Sequence, residues 1–380
     1  MNLRVEIKAE LYRWATERSR LDEGVLTHHF PHYTAWVRGE SSPTLRQLES
    51  FAQVTHTPIG YLFLQTPPEE PLPIPDFRTA GSRAVLRPSP DLLDTINICR
   101  QRQEWYREYA LENGEVALDF IGSAKLSDDP VAIAPLIRQR LGLDTEERGR
   151  LRTWEDALRD FIAKADEAGI LVMCSGVVLN NNTRKLDVAE FRGFALSDPL
   201  APLIFVNGSD SKAAQMFTVA HEIAHLWLGS TALSGVDLAP SPQETERWCN
   251  KVAAEVLVPE SDFKANFDGA AEAAEELPRL ARRYKVSALV IIRRLYDSGL
   301  VDFDRYRELY EAEEKRLHNI PHHPGGDFYL TQSARVGKRF ARSLISSTLE
   351  GRTLHRDAFR LIGFSKLSTF QELGRNLGLL

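Results

Sequence analysis

The period of the hydrophobic positions changes several times along this 380-residue chain, and each change predicts a different element. Leu11, Trp14 and Ala15 fall at helical spacing, and Thr44 precedes Leu45, Leu48, Phe51, Ala52 and Val54 in the pattern of a capped amphipathic helix. Pro58, at a first helical position, opens a short turn holding Ile59, Tyr61, Leu62 and Phe63. The pattern then lapses. Five prolines between Pro67 and Pro75 favour extended polyproline, so a linker is expected, closed by Asp76-Phe77-Arg78-Thr79 docking on the next domain. Helical spacing returns from Pro90 to Asn113, from Pro130 to Leu141 and from Trp154 to Ala168. Between Gly169 and Asn207 the period shortens: Ile170 to Met173, Gly193 to Leu196 and Leu203 to Val206 are β-prone runs separated by Gly, Asn, Asp and Pro.

Two further helices are expected after these strands. One runs from a cap at Ser209 or Asp210 to a stop at Gly229, the other from the capping box Ser241-Pro242-Gln243-Glu244 to Val258-Pro259. Leu354, Ala358, Leu361 and Ile362, then Phe370 and Leu373, predict two short helices near the end. The fold class is therefore α+β, mainly α. Residues 1–66 form a helical module, 67–89 a Pro-rich linker, 90–319 a mixed domain with its core at 153–265, and 320–380 a helical C-terminal segment.

Composition narrows the setting. Hydrophobic content of 43% and charged content of 26% suit a soluble globular protein, and no apolar stretch is long enough to span a bilayer. Cys99, Cys174 and Cys249 form no C-x-x-C and cannot all pair, which points to a reducing compartment and a cytoplasmic location. A net charge of −6 excludes a global nucleic-acid signature, but the charge is uneven. Residues 1–66 balance seven basic against seven acidic side chains, which leaves little surplus for phosphate. Residues 320–380 carry nine basic against four acidic, and Arg335, Lys338, Arg339 and Arg342 fall on one helical stripe. An acidic protein partner, RNA or DNA would suit that stripe, as would the chain's own acidic middle.

The chemistry concentrates in His221-Glu222-Ile223-Ala224-His225. Imidazoles at i and i+4 project from one helix face, roughly 6 Å apart along the axis, which suits coordination of a single metal ion. Glu222 then lies beside a coordinated water rather than on the metal, as in zinc hydrolases. A third protein ligand is needed, and Glu246 is the expected one, sharing a face with Asn250, Ala253 and Leu257. Glu244 is expected to turn back to the helix start, Glu255 lies on the far side of the helix, and Asp237 remains an alternative.

Two stretches carry family resemblances. Trp36-Val37-Arg38-Gly39-Glu40 followed by Ser42-Pro43-Thr44-Leu45 resembles the lambda-repressor-like (XRE) helix-turn-helix family. Its recognition helix would fall at His28-His29-Phe30-Pro31-His32-Tyr33, which carries a proline and few long polar side chains, so the module serves either DNA or dimerisation and partner docking. Phe217 to His225, with Glu246-Arg247-Trp248-Cys249-Asn250-Lys251-Val252-Ala253-Ala254-Glu255-Val256-Leu257-Val258-Pro259, resembles the ImmA/IrrE metallopeptidases, with Cys249 and Val252 departing from the usual Ala and Phe.

That resemblance implies a zincin-like domain holding one Zn2+ per chain, with His221, His225 and Glu246 as ligands and Glu222 as general base. It implies cleavage of a specific protein such as a repressor or antitoxin. Long family members of this type also imply the alternative of an antitoxin or transcriptional autoregulator, bound to a PIN-like ribonuclease toxin or operator DNA, with a non-proteolytic zinc site. Tyr329, His318, His322 and His323 are the candidates for oxyanion stabilisation, and one of the short strands could hold an extended peptide by strand addition.

Overall fold

The computed structural model describes residues 4–76, 87–234, 243–318 and 328–380. The chain divides into two compact units, Met1–Pro73 with Ala80–Asn97 and Ile74–Thr79 with Ile98–Leu380. In the first, α1 (Ala9–Ser19), α2 (Glu23–His29), α3 (Tyr33–Val37) and α4 (Leu45–Val54) are followed by a 3-10 turn at Ile59–Phe63. They close on an aromatic-rich core of Tyr12, Trp14, Phe30, Tyr33, Trp36 and Phe51. Thr44 caps α4 as its side chain predicts, accepting from the Gln47 amide while Gln47 bonds back to the Thr44 amide. Pro58 lies one position earlier than expected, at the cap of the 3-10 turn. The stretch His28 to Tyr33 is not one helix. His28 and His29 end α2, Pro31 lies in the turn, and α3 is only five residues long with Tyr33 and Trp36 turned into the core.

Helix α5 (Pro90–Glu112) starts and ends within a residue of its predicted bounds. The second unit continues with α6 (Pro130–Leu141), α7 (Thr145–Arg150) and α8 (Trp154–Glu167), then β1 (Leu171–Ser175), β2 (Gly193–Leu196), β3 (Leu203–Asn207), α9 (Lys212–Trp227) and β4 (Ala232–Ser234). Next come α10 (Glu244–Leu257), α11 (Glu260–Asn266), α12 (Ala273–Tyr284), α13 (Ala288–Asp297) and α14 (Phe303–His318). Three predicted strands are present, and β4 completes a sheet of order β1-β3-β2-β4, parallel between β1 and β3 and antiparallel elsewhere. The strands read as continuous apolar runs because both faces of the sheet are covered: every residue of β2, β3 and β4 is buried. Asp76 forms a parallel bridge to Leu233, while Phe77, Arg78 and Thr79 lie outside the described residues.

The C-terminal segment folds as α15 (Phe328–Val336), α16 (Lys338–Leu349), α17 (His355–Ile362) and α18 (Leu367–Asn376). The expected single basic stripe is broken. Gly337 takes φ +79° between α15 and α16, and a Cβ there would stand 2.8 Å from the Val172 carbonyl oxygen. Arg335 consequently sits on another helix from Lys338, Arg339 and Arg342. Its guanidinium bonds the side chains of Asn180 and Asn182, and Arg339 bonds the Tyr106 hydroxyl, Glu115 and the Asp166 carbonyl. Two of the four bases thus hold the segment to its own domain, and only Lys338 and Arg342 are exposed.

Opposite Arg339, burial pushes the Asp166 carboxyl up to about 6, against the Arg339 amide, Arg339, Lys338 and Arg342, which hold it down. A carboxyl whose folded value lies above its unfolded value binds protons more tightly when folded, so its effect on stability worsens as pH rises through that window. Asp166→Asn, which keeps an acceptor for the Arg339 amide, is expected to be more stable than wild type at pH 7 by no more than about 3 kcal/mol. The advantage should shrink to nothing near pH 4 in urea titrations run between pH 4 and 8. A difference that does not vary with pH would count against it.

Among the described residues, no helix is long and apolar enough to cross a membrane.

Candidate metal centre

The cap of α9 lies one residue past Asp210 and two past Ser209, the predicted caps. Ser211 takes the cap position and accepts from the Ala214 amide, because Ser209 bonds Gly176 and Asp210 faces Arg192 at 3.7 Å. From Gln215 to Trp227 every residue of α9 is buried between the sheet and α10. Helix α10 begins at Glu244 with Gln243 at its cap and no side-chain capping bond, so the predicted box does not form there: Glu244 is the first helical residue, not the third, and is exposed. Ser241, Pro242 and Asp237 lie outside the described residues.

These two helices bring His221, His225 and Glu246 together. His225 Nε2 lies 3.1 Å from His221 Nε2, and the two Glu246 oxygens lie 3.3 Å from His221 Nε2 and 3.1 Å from His225 Nε2. Both histidines are 0% exposed and Glu246 is 2% exposed. Separations of this size suit ligand atoms around one ion: with bonds of about 2.0–2.1 Å to zinc, neighbouring ligand atoms of a tetrahedron stand about 3.3 Å apart. The residues present therefore fit a zinc ion, and this is the one such group of His, Cys, Asp and Glu among the described residues.

Electrostatics agrees with the geometry. Burial would raise the Glu246 carboxyl, but the facing His221 and His225 hold it down to about 2, so it stays an anion, as a ligand must. Glu222, next to His221 on α9, has both carboxylate oxygens buried, with no hydrogen bond at ordinary distance among the described residues and Ser234 as a polar neighbour. Burial pushes its carboxyl up to about 8, a proton affinity well above that of a free carboxylate.

Three neighbours escape a reading by motif. Gly193 on β2 passes directly under the site: a Cβ there would stand 3.0 Å from Glu222 Oε1, 2.9 Å from the Phe205 carbonyl oxygen and 2.6 Å from Thr218 Cγ2. Glycine is required here chiefly by the close approach of Thr218 and the Phe205 backbone, with the Glu222 carboxylate just beyond them. Ser234, at the end of β4, places Oγ 3.4 Å from His225 Nε2. Leu233, next to it, donates its amide to the Pro75 carbonyl at 2.9 Å. Asn250, one turn beyond Glu246, does lie on the Glu246 face as its spacing predicts, beside His221.

At the far end of α10, Arg138 and Arg148 bond the carbonyls of Glu255 and Leu257, orphan acceptors of the last turn. Glu255 itself forms a buried pair with Arg294. The predicted exclusion of Glu255 from the site therefore has a structural counterpart: it anchors the helix that carries Glu246.

The candidates for oxyanion stabilisation are not brought to the site by the described residues. Tyr329 belongs to α15, which packs on β1, the opposite sheet edge from β4, and its side chain lies outside the described residues. The side chain of His318 and the whole of His322 and His323 lie outside them too.

No curated protein matches the chain. Residues 336–376 match the family described as a domain of unknown function (DUF8813), a span that begins at the Gly337 break and covers α16 to α18. Residues 165–296 match the Peptidase M78 family, described as the IrrE N-terminal-like domain, and this span holds the whole sheet and both helices of the centre. The segment that builds the His221, His225 and Glu246 centre is thus similar to metallopeptidase domains of the ImmA/IrrE type.

Proposed function

We propose that the chain is a zinc-dependent endopeptidase of a bacterial regulatory system, cutting a specific protein such as a repressor or antitoxin. The convergence of two buried imidazoles and a carboxylate around one point, with a second, buried carboxylate beside it, carries this reading. A zinc ion held by His221, His225 and Glu246 would supply Lewis acidity to the scissile carbonyl and acidify a water in the fourth position. Glu222 would accept a proton from the attacking water and later return it to the leaving amine.

The N-terminal helical bundle favours a regulatory setting and a second reading, an antitoxin or autoregulator that binds a toxin or operator DNA, for which cleavage is not needed. Glu222→Gln separates the two. Under the peptidase reading it binds zinc as wild type does, cleaves no partner protein, and loses the biological effect. An effect that survives the substitution leaves the binding reading in place. The location expected on either reading is the cytoplasm.

A further inference from the structure

β4 is the outer strand of the sheet, and its last residue, Ser234, lies beside the centre, with Oγ 3.4 Å from His225 Nε2. Ala232, Leu233 and Ser234 pair inward with Ala195, Phe194 and Gly193 of β2. The outward-facing amide of Leu233 is not left to water. It donates to Pro75, in the segment Ile74-Pro75-Asp76, which runs parallel to β4 with Asp76 bridged to Leu233 and Ile74 only 7% exposed. An edge strand is a template for an added extended segment, and here the added segment is the chain's own.

We propose that the outer edge of β4 is a seat for an extended peptide next to the metal centre, and that Ile74-Pro75-Asp76 occupies it as an internal ligand. The proposal rests on the peptidase reading for its consequence, since a seated linker competes with a peptide substrate for the same edge.

The sequence of the segment suits a ligand that can leave. Pro73 and Pro75 have no amide hydrogen, so they can only accept from β4; Pro75 accepts from Leu233, Asp76 forms the bridge and Ile74 is buried. A substrate segment with free amides at those positions can form the bonds the prolines cannot. The tether compensates: a covalently linked segment acts at an effective concentration of order millimolar, enough to fill a weak seat without making it permanent. Proline is also a poor element for a strand that must be held permanently, which fits a resident occupant that gives way.

Exchange of the Leu233 amide in the full-length, zinc-loaded chain reads the seat directly. Ile74→Asp puts a charge where an apolar side chain is buried and is expected to speed that exchange at least about tenfold, with the amides of α9 unchanged. A free peptide of residues 69–76, Glu-Glu-Pro-Leu-Pro-Ile-Pro-Asp, at millimolar concentration should restore the protection and compete with cleavage of a peptide substrate. The same variant should cleave that substrate faster than wild type. If Ile74→Asp does not fold, Ile74→Ser, which removes the apolar body without adding charge, makes the same comparison.

Leu233 exchange that is as slow in the variant as in wild type overturns the seat, as does a free peptide that gives no protection. Faster exchange with unchanged cleavage overturns its inhibitory role. A chain that cleaves nothing, with Glu222→Gln indistinguishable from wild type, removes the peptidase reading while the exchange result still decides the seat.

Discussion

Glu246→Ala is expected to lower zinc affinity by more than about 100-fold, while Glu244→Ala leaves it unchanged. Loss of a residue that merely supports a ligand typically costs 10–100-fold in metal affinity, and loss of a ligand exceeds that. Glu246 is moreover the one anionic member of the set, held to its charged form by the two histidines it faces. Without it, two buried neutral imidazoles are left as the protein ligands of a dication. Glu244 is two residues away in the chain yet exposed at the start of α10, so it supplies the contrast. The measurement is metal content after dialysis against a graded chelator, with thermal unfolding alongside. A ligand that binds only the folded state adds about 2.7 kcal/mol of stability at 100 times its Kd, so wild type should melt higher as zinc is added and Glu246→Ala should not. Retention of one zinc at wild-type affinity by Glu246→Ala would remove it from the ligand set and turn attention to Asp237.

The part of the centre that is legible in the chain is the part written in short-range spacing. His221 and His225 share a face because four residues make one helical turn, and Glu246 is singled out by the face it shares with Asn250. The three apolar strands and the span of α6 follow from runs bounded by Gly, Asn, Asp and Pro. The hidden part depends on contacts far apart in sequence. Gly193 looks like any glycine at a strand start until Thr218 and the Phe205 backbone are seen against it. β4 has only three residues and no alternation to display, and its partner Pro75 lies in a stretch whose prolines point to a spacer. The cap of α9 is ambiguous for a different reason. Ser209, Asp210 and Ser211 are all good caps, and only the tertiary partners of the first two decide that the third is used. The basic stripe breaks because helical spacing does not continue through Gly337, which takes φ +79° and packs too closely on Val172 of β1 to carry a side chain.

Glu255→Gln is expected to destabilise the chain by about 3–5 kcal/mol, a large share of the 5–15 kcal/mol that holds a folded domain. The Glu255 and Arg294 side chains are both almost wholly buried and pair directly, and the Glu260 amide also faces the Glu255 carboxylate at 3.2 Å. Glutamine keeps the shape but removes the charge, leaving the buried Arg294 guanidinium without its direct partner and with only the more distant Asp297 as counter-charge. Burial already lowers Arg294 to about 10, so no part of this cost is relieved by deprotonation at neutral pH. Replacing both partners together, Glu255→Leu with Arg294→Met, should recover much of the loss, because it removes the stranded charge rather than exposing it. The comparison is made by urea unfolding of wild type, the single variant and the double variant at saturating zinc and again without metal. Glu255 lies nine residues beyond Glu246 on the same helix, and the Arg138 bond to its carbonyl holds that helix end in register. The single variant should therefore also lose zinc affinity, whereas a Glu255→Gln chain that is destabilised but binds zinc as tightly as wild type would show that the anchor at the end of α10 does not set the position of Glu246.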